Sequence, residues 1–174
     1  MNSIGTMEMK KLVFCIVFAN LAVSFVIVAS GSLAQTAQKR PLTYKVTKTE
    51  AEWKKILTPA QYHILREQGT EPAFKNKYFD NHAKGIYLCA ATRKPVFSSA
   101  DKYDSHTGWP SFTKPISPGA VLFIEDNSHG MKRIEVVDAL SGSHLGHVFN
   151  DGPAPTGKRF CMNSEALIFV PAKK

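Results

Sequence analysis

The feature that most constrains this chain is the order of its local signals: two short helical stretches, then only strand-like runs. Thr49-Glu50-Ala51-Glu52 reads as a capping box, with Trp53, Ile56 and Leu57 following at helical spacing. Thr58-Pro59-Ala60-Gln61 starts a second helix, with Tyr62, Ile64 and Leu65 on its apolar side and Gly69 as its stop. Residues 70–84 are turn-rich. Beyond Gly85 the strand-like runs are Ile86–Ala90, Val96–Ser98, Val121–Glu125, Ile134–Asp138, His147–Phe149, Arg159–Asn163 and Leu167–Val170. They are rich in aromatic and β-branched residues, and Gly, Pro, Asn and Ser punctuate the gaps. Asn127-Ser128-His129-Gly130 has the composition of a hairpin tip between the third and fourth runs. Parallel strands would need helices between them, so this order predicts an antiparallel α+β or all-β domain.

The 174 residues suffice for one domain with its own core. Residues 1–34 read as an export signal instead: Lys10 and Lys11, then a nearly unbroken apolar run from Leu12 to Val28, then Ser32-Leu33-Ala34 in the small-x-small pattern of a cleavage site. The expectation is cleavage after Ala34, the alternative an uncleaved membrane anchor. Either places the rest of the chain outside the cytoplasm, periplasmic or otherwise extracytoplasmic. Residues 35–48 are polar and read as a flexible linker, and 49–174 as the domain. The formal charge of +8 falls to +7 once Lys10, Lys11 and Glu8 are removed. The basic residues are scattered and no RNA-binding motif accompanies them, so a soluble basic surface is expected, without a nucleic-acid partner. A preference for negatively charged surfaces stays open.

Of three cysteines, Cys15 lies in the export signal, leaving Cys89 and Cys161. A structural disulfide between them is one reading in an oxidising compartment. Chemistry is the other. In Arg159-Phe160-Cys161-Met162-Asn163, strand alternation puts Arg159, Cys161 and Asn163 on one face and Phe160 and Met162 on the core side. A neighbouring cation lowers a thiol's pKa from about 8.5, so Arg159 is placed to favour the reactive thiolate. In Ser143-His144-Leu145-Gly146-His147-Val148-Phe149-Asn150-Asp151, the two histidines could be a metal pair or proton-transfer groups. Asp151 could orient a histidine or pair with Arg159. Trp109, between Gly108 and Pro110, sits in a constrained turn, as a pocket wall or as core.

Together, Gly69-Thr70-Glu71-Pro72, Gly85-Ile86-Tyr87, Gly108-Trp109-Pro110-Ser111-Phe112, His144-Leu145-Gly146-His147-Val148-Phe149 and Arg159-Phe160-Cys161-Met162-Asn163-Ser164 resemble, in order, the signatures of the methionine sulfoxide reductase B family. The resemblance runs from about Glu50 to Phe169. It implies a mainly β fold of two antiparallel sheets, tent-like, with short amino-terminal helices. It implies an enzyme, a peptide-methionine (R)-S-oxide reductase, that acts as a monomer and repairs oxidatively damaged exported proteins. By the same resemblance Cys161 is the nucleophile, and His144, His147 and Asn163 bind and protonate the sulfoxide oxygen. Arg159 and Asp151 are the charged pair beside the thiolate, and Trp109 holds the substrate methyl group, with Phe149 also at the substrate.

The chain departs from that family's pattern twice. Many members bind structural zinc through two Cys-x-x-Cys pairs; here the positions read Cys89-Ala90-Ala91-Thr92 and Asp138-Ala139-Leu140-Ser141, so no zinc or other cofactor is expected. Many also carry a resolving cysteine where this chain has Thr107. Cys89 is then a candidate resolving residue. The preferred expectation is an external reductant, a thioredoxin-like protein or a small thiol, acting on a Cys161 sulfenic acid. Two other readings are a binding module that has lost turnover and a structural Cys89–Cys161 disulfide protein.

Overall fold

The computed structural model describes Lys39 and residues 43–173, all within one compact unit, Ala34–Lys174. The expected export signal lies outside the described residues. Among the described residues, no helix is long and apolar enough to cross a membrane.

Two helices lead, α1 (Glu50–Ile56) and α2 (Pro59–Glu67). Both open with the capping boxes read from the sequence, the Thr49 and Thr58 hydroxyls accepting from the Glu52 and Gln61 backbone N–H groups. Each box satisfies orphan donors of the first turn. The stop of α2 differs from expectation. Gln68, not Gly69, takes the left-handed conformation, at φ 56°. A Cβ at Gly69 would lie 2.3 Å from the exposed His63 imidazole, which would have to swing aside.

Nine strands follow: β1 (Gly85–Cys89), β2 (Pro95–Ser98), β3 (Lys102–Tyr103), β4 (Ser111–Phe112), β5 (Val121–Asp126), β6 (Arg133–Asp138), β7 (His144–Phe149), β8 (Arg159–Met162) and β9 (Leu167–Pro171). They form two antiparallel sheets, a small one in the order β2-β1-β9 and a large one in the order β3-β4-β8-β7-β6-β5. The mainly β expectation holds, and all seven runs contain a strand. β7 begins three residues earlier than expected, and β8 stops before Asn163. The two-residue β3 and β4 were not foreseen, because pairs so short carry no periodic signal. The hairpin tip at Asn127–Gly130 joins β5 to β6, with His129 in the left-handed conformation at φ 53°.

The sheets meet in an aromatic core. Phe97 of β2 stacks on Phe112 of β4 at 4.5 Å between centroids, and Tyr87 of β1 meets Phe112 edge-on at 5.1 Å. Phe160 and Met162 point into this core, as alternation along β8 required. Trp53, Leu57, Ile64 and Leu65 bring the helices onto it. Fully burying such side chains stabilises by roughly 1.5–3 kcal/mol each. The described end of the stretch read as a linker makes contacts with the domain. The Tyr44 ring lies against Gly142, where φ is 66° and a Cβ would meet that ring at 2.3 Å. The Val46 N–H donates to the Leu140 carbonyl, so this stretch is pinned to the domain.

Candidate active site

Register places the chemistry. Tyr103 of β3 is opposite Ser111 of β4, Ser111 is opposite Cys161 of β8, Cys161 is opposite His147 of β7, and His147 is opposite Glu135 of β6. Directly opposed residues of an antiparallel pair share a face. A single row of polar side chains therefore crosses the face of the large sheet turned away from Phe160 and Met162.

Histidines three apart on a regular strand would point to opposite faces. A bulge in β7 removes this conflict. Val136 is opposite Gly146 while Val137 is opposite His144, so one extra residue is inserted. The bulge requires glycine: Gly146 has φ 157°, and a Cβ there would lie 2.1 Å from the Cys161 carbonyl oxygen. Both imidazoles then line one polar cleft of about 160 Å³ with Asp126, Arg133, Glu135 and Gln68. Their ring centroids are 5.3 Å apart.

Each histidine has a carboxylate that sequence reasoning missed. His147 Nε2 donates to Asp126 Oδ2 at 2.7 Å, and Arg133 donates to the same oxygen at 2.7 Å. His144 Nδ1 is 2.9 Å from Glu135 Oε1, and both groups are almost fully buried. Burial pushes the Asp126 carboxyl up, but hydrogen bonds from Ser128 and His147 and the charge of Arg133 outweigh it and hold it well below the usual carboxylate range. Burial pushes the His147 imidazole below its ordinary value, with Asp126 partly offsetting it. His147 is therefore neutral at rest. Because an ionised Asp126 can only accept, the ring proton sits on Nε2 and leaves a lone pair on Nδ1.

Cys161 is half-buried and unbonded to Cys89; both are free thiols. Burial raises the Cys161 pKa above its ordinary value, and Arg159 and a hydrogen bond from Thr107 lower it by less. Arg159 thus acts in the expected direction, toward the thiolate, but burial outweighs it. Burial is the main cause of the rise, and Asp151 adds a smaller one: it takes a two-pronged bond from Arg159, Nε to Oδ1 at 2.9 Å and the second nitrogen to Oδ2 at 2.8 Å, and so shares its charge. The guanidinium also stacks over the Phe149 ring at 4.4 Å. Asp151 thus pairs with Arg159 rather than with a histidine.

Trp109 is half-buried and outside the core cluster. Its indole Nε1 donates to the Glu71 carbonyl at 3.0 Å. Glu71 is a hub that sequence reasoning passed over, although it stood in a quoted signature. Its carboxylate accepts from the Ser164 N–H and, at 2.9 Å, from the Glu165 N–H, and its own N–H donates to Asn163 Oδ1 at 3.2 Å. Asn163 Nδ2 donates to the Leu145 carbonyl at 3.2 Å. The described contacts of the Asn163 amide thus brace β7 against the 70–72 turn.

The four positions that would carry a zinc site do come together, but as a hydrogen-bond cluster. Asp138, 1% exposed, accepts from the Thr92 hydroxyl at 3.2 Å and from the Ser141 N–H and hydroxyl at 2.8 and 2.7 Å. Burial, with Asp138 nearby, pushes the Cys89 thiol up to about 12. A protonated thiol and a carboxylate occupied by three donors fit zinc poorly. Among the described residues, no three His, Cys, Asp or Glu side chains gather as a metal site.

Comparison with known proteins identifies the family. The SelR domain family matches residues 57–171. The chain is 57% identical over 124 residues to a peptide methionine sulfoxide reductase MsrB of Methanosarcina barkeri, covering 71% of this chain and 87% of that one. It is 51% identical over 127 residues to that of Agrobacterium fabrum, covering 73% and 94%, and 52% identical over 128 residues to that of Leptospira interrogans, covering 74% and 98%. The chain belongs to the SelR domain family, that of the methionine sulfoxide reductases B.

Proposed function

We propose that this methionine sulfoxide reductase works through a sulfenic acid on Cys161 that an external thiol reduces. The observation that carries this reading is the pairing of Cys161 with His147 across β7 and β8, with Asp126 behind the imidazole. A sulfoxide sulfur is a poor electrophile until its oxygen takes a proton or a strong hydrogen bond. His147, neutral with its Nε2 proton held by Asp126, is suited to take a proton on Nδ1 and hand it to that oxygen. The Cys161 sulfur attacks the sulfoxide sulfur, and the oxygen passes from methionine to cysteine. Methionine sulfur is reduced by two electrons, Cys161 is oxidised by two, and the thiol proton ends on the sulfenic acid. A first donor thiol then forms a mixed disulfide and releases water, and a second thiol frees Cys161.

The environment of Cys89 supports an external donor. Cys89 is fully buried on β1 in the small sheet, and its raised pKa makes it a poor attacking thiol. The donor is a thioredoxin-like protein or a small thiol, and the substrate is the R-sulfoxide of methionine in exported proteins, in line with the signal read at residues 1–34. The enzyme acts as a monomer and needs no zinc. A single turnover with excess sulfoxide peptide and no reductant tests the mechanism. It should yield about one methionine per chain and a Cys161 adduct with dimedone. A Cys89–Cys161 disulfide forming as fast as methionine appears would overturn the external-donor reading.

A further inference from the structure

Thr107 stands where many family members carry a resolving cysteine, and it is not idle. Its hydroxyl lies within reach of the Cys161 sulfur, as a side-chain partner that favours the thiolate. Thr107 Oγ1 is also 2.8 Å from Ser105 Oγ, Ser105 Oγ is 2.7 Å from Ser111 Oγ, and Ser111 Oγ is 3.3 Å from the Trp109 carbonyl. Ser111 is fully buried and lies opposite Cys161 in the sheet.

We propose that Thr107, Ser105 and Ser111 form a hydroxyl chain that reverses direction when Cys161 ionises and holds the thiolate by donation from Thr107. This rests on the reading of Cys161 as the nucleophile. The chain has four links, from sulfur to Trp109 carbonyl, but its hydroxyls own three protons. In the thiol form the fourth proton comes from Cys161: sulfur donates to Thr107, Thr107 to Ser105, Ser105 to Ser111, and Ser111 to the carbonyl. In the thiolate form the direction turns round. Ser111 donates to Ser105, Ser105 to Thr107 and Thr107 to sulfur. Only the Ser111–carbonyl link is given up, which is the longest of the three links with a measured length. Three hydroxyl rotations suffice, and no proton moves along the chain. The other titratable or charged groups facing Cys161 are Arg159 on its own strand, Asp151, Tyr103 on β3 and His147 on β7. The three hydroxyls are positioning residues, and Thr107 alone touches the reacting sulfur.

The test is the pH dependence of Cys161 alkylation by iodoacetamide, followed on the Cys161 peptide by mass spectrometry. It uses neither sulfoxide nor reductant, so it is read independently of the mechanism proposed above, whose own failure would be sulfoxide reduction surviving Cys161→Ser. Hydrogen bonds to charged groups are strong enough that losing one should move the thiol by about one pH unit. Thr107→Val and Thr107→Ala should both raise the midpoint by that much and slow alkylation near neutrality about tenfold, while Thr107→Ser should stay within about twofold of wild type. Ser111→Ala strands the Ser105 proton in the thiol form alone, and should shift the midpoint the other way. A wild-type profile in both Thr107→Val and Thr107→Ala, or a shift in Thr107→Ser as large as theirs, would overturn the donation. A raised midpoint in Ser111→Ala would overturn the reversal.

Discussion

Cys161 and His147 occupy directly opposed positions on β8 and β7, so the sulfur and the imidazole share a face of the large sheet although they are separated by the whole β7–β8 connection. That register brings the two side chains side by side. It also explains why Gly146 is needed beside them: the Cys161 carbonyl fills the space a Cβ would take.

The two cysteines should therefore separate cleanly. Cys161→Ser should abolish reduction of a methionine sulfoxide peptide with dithiothreitol as donor, and Cys89→Ser should keep most of it. The first lies in the polar row and the second in the apolar core. Steady-state rates of both variants check this, and equal loss in both would refute the assignment.

The His147–Asp126 pair yields a prediction in both kinetics and pH. His147→Ala should lower kcat by about 10²–10⁴-fold, the range of a positioned acid–base group. Asp126→Asn should lower kcat by less, and should move the His147 pKa further down, because the carboxylate is the partner that raises it. Ring-proton NMR titration reads that shift. For stability, folding depresses the His147 pKa and so favours its neutral form. This contribution is present above the unfolded value of about 6.5 and is lost as pH falls through it toward the folded pKa.

Glu71→Gln should weaken both fold and binding. The new amide can accept from only one of the Ser164 and Glu165 N–H groups, and an orphaned buried donor costs about 1–3 kcal/mol. The Glu71 backbone also holds the Trp109 indole, so KM should rise more than kcat falls. Urea unfolding and steady-state kinetics measure the two effects.

At the former zinc positions, Asp138→Ala should destabilise by about 3 kcal/mol, since it strands the Thr92 hydroxyl and the Ser141 N–H and hydroxyl in a buried site. Added zinc should not restore the loss. Thermal unfolding with and without zinc, together with elemental analysis of the wild-type protein, checks this. One zinc per chain, removable only on unfolding, would contradict the hydrogen-bonded replacement.

The sequence by itself determined whatever depends on near neighbours. Both helix starts were legible because a capping box spans four residues. The core faces of β8 were legible because alternation is local, and the family resemblance rested on contiguous motifs. The two short strands β3 and β4 escaped, being too brief to show a period. Tertiary structure alone decided the partners. Asp126 reaches His147 across 21 residues, and Glu71 reaches Ser164 across 93. It also decided the sign of the Cys161 shift. Arg159 could be seen two residues away, but the opposing burial and the sharing of its charge with Asp151 come from packing. Even the two histidines, three apart in the sequence, needed the bulge at Gly146 to face one cleft. A pKa, a bulge and a hydrogen-bond partner depend on what lies across space, and that is set only when the sheets close on their core.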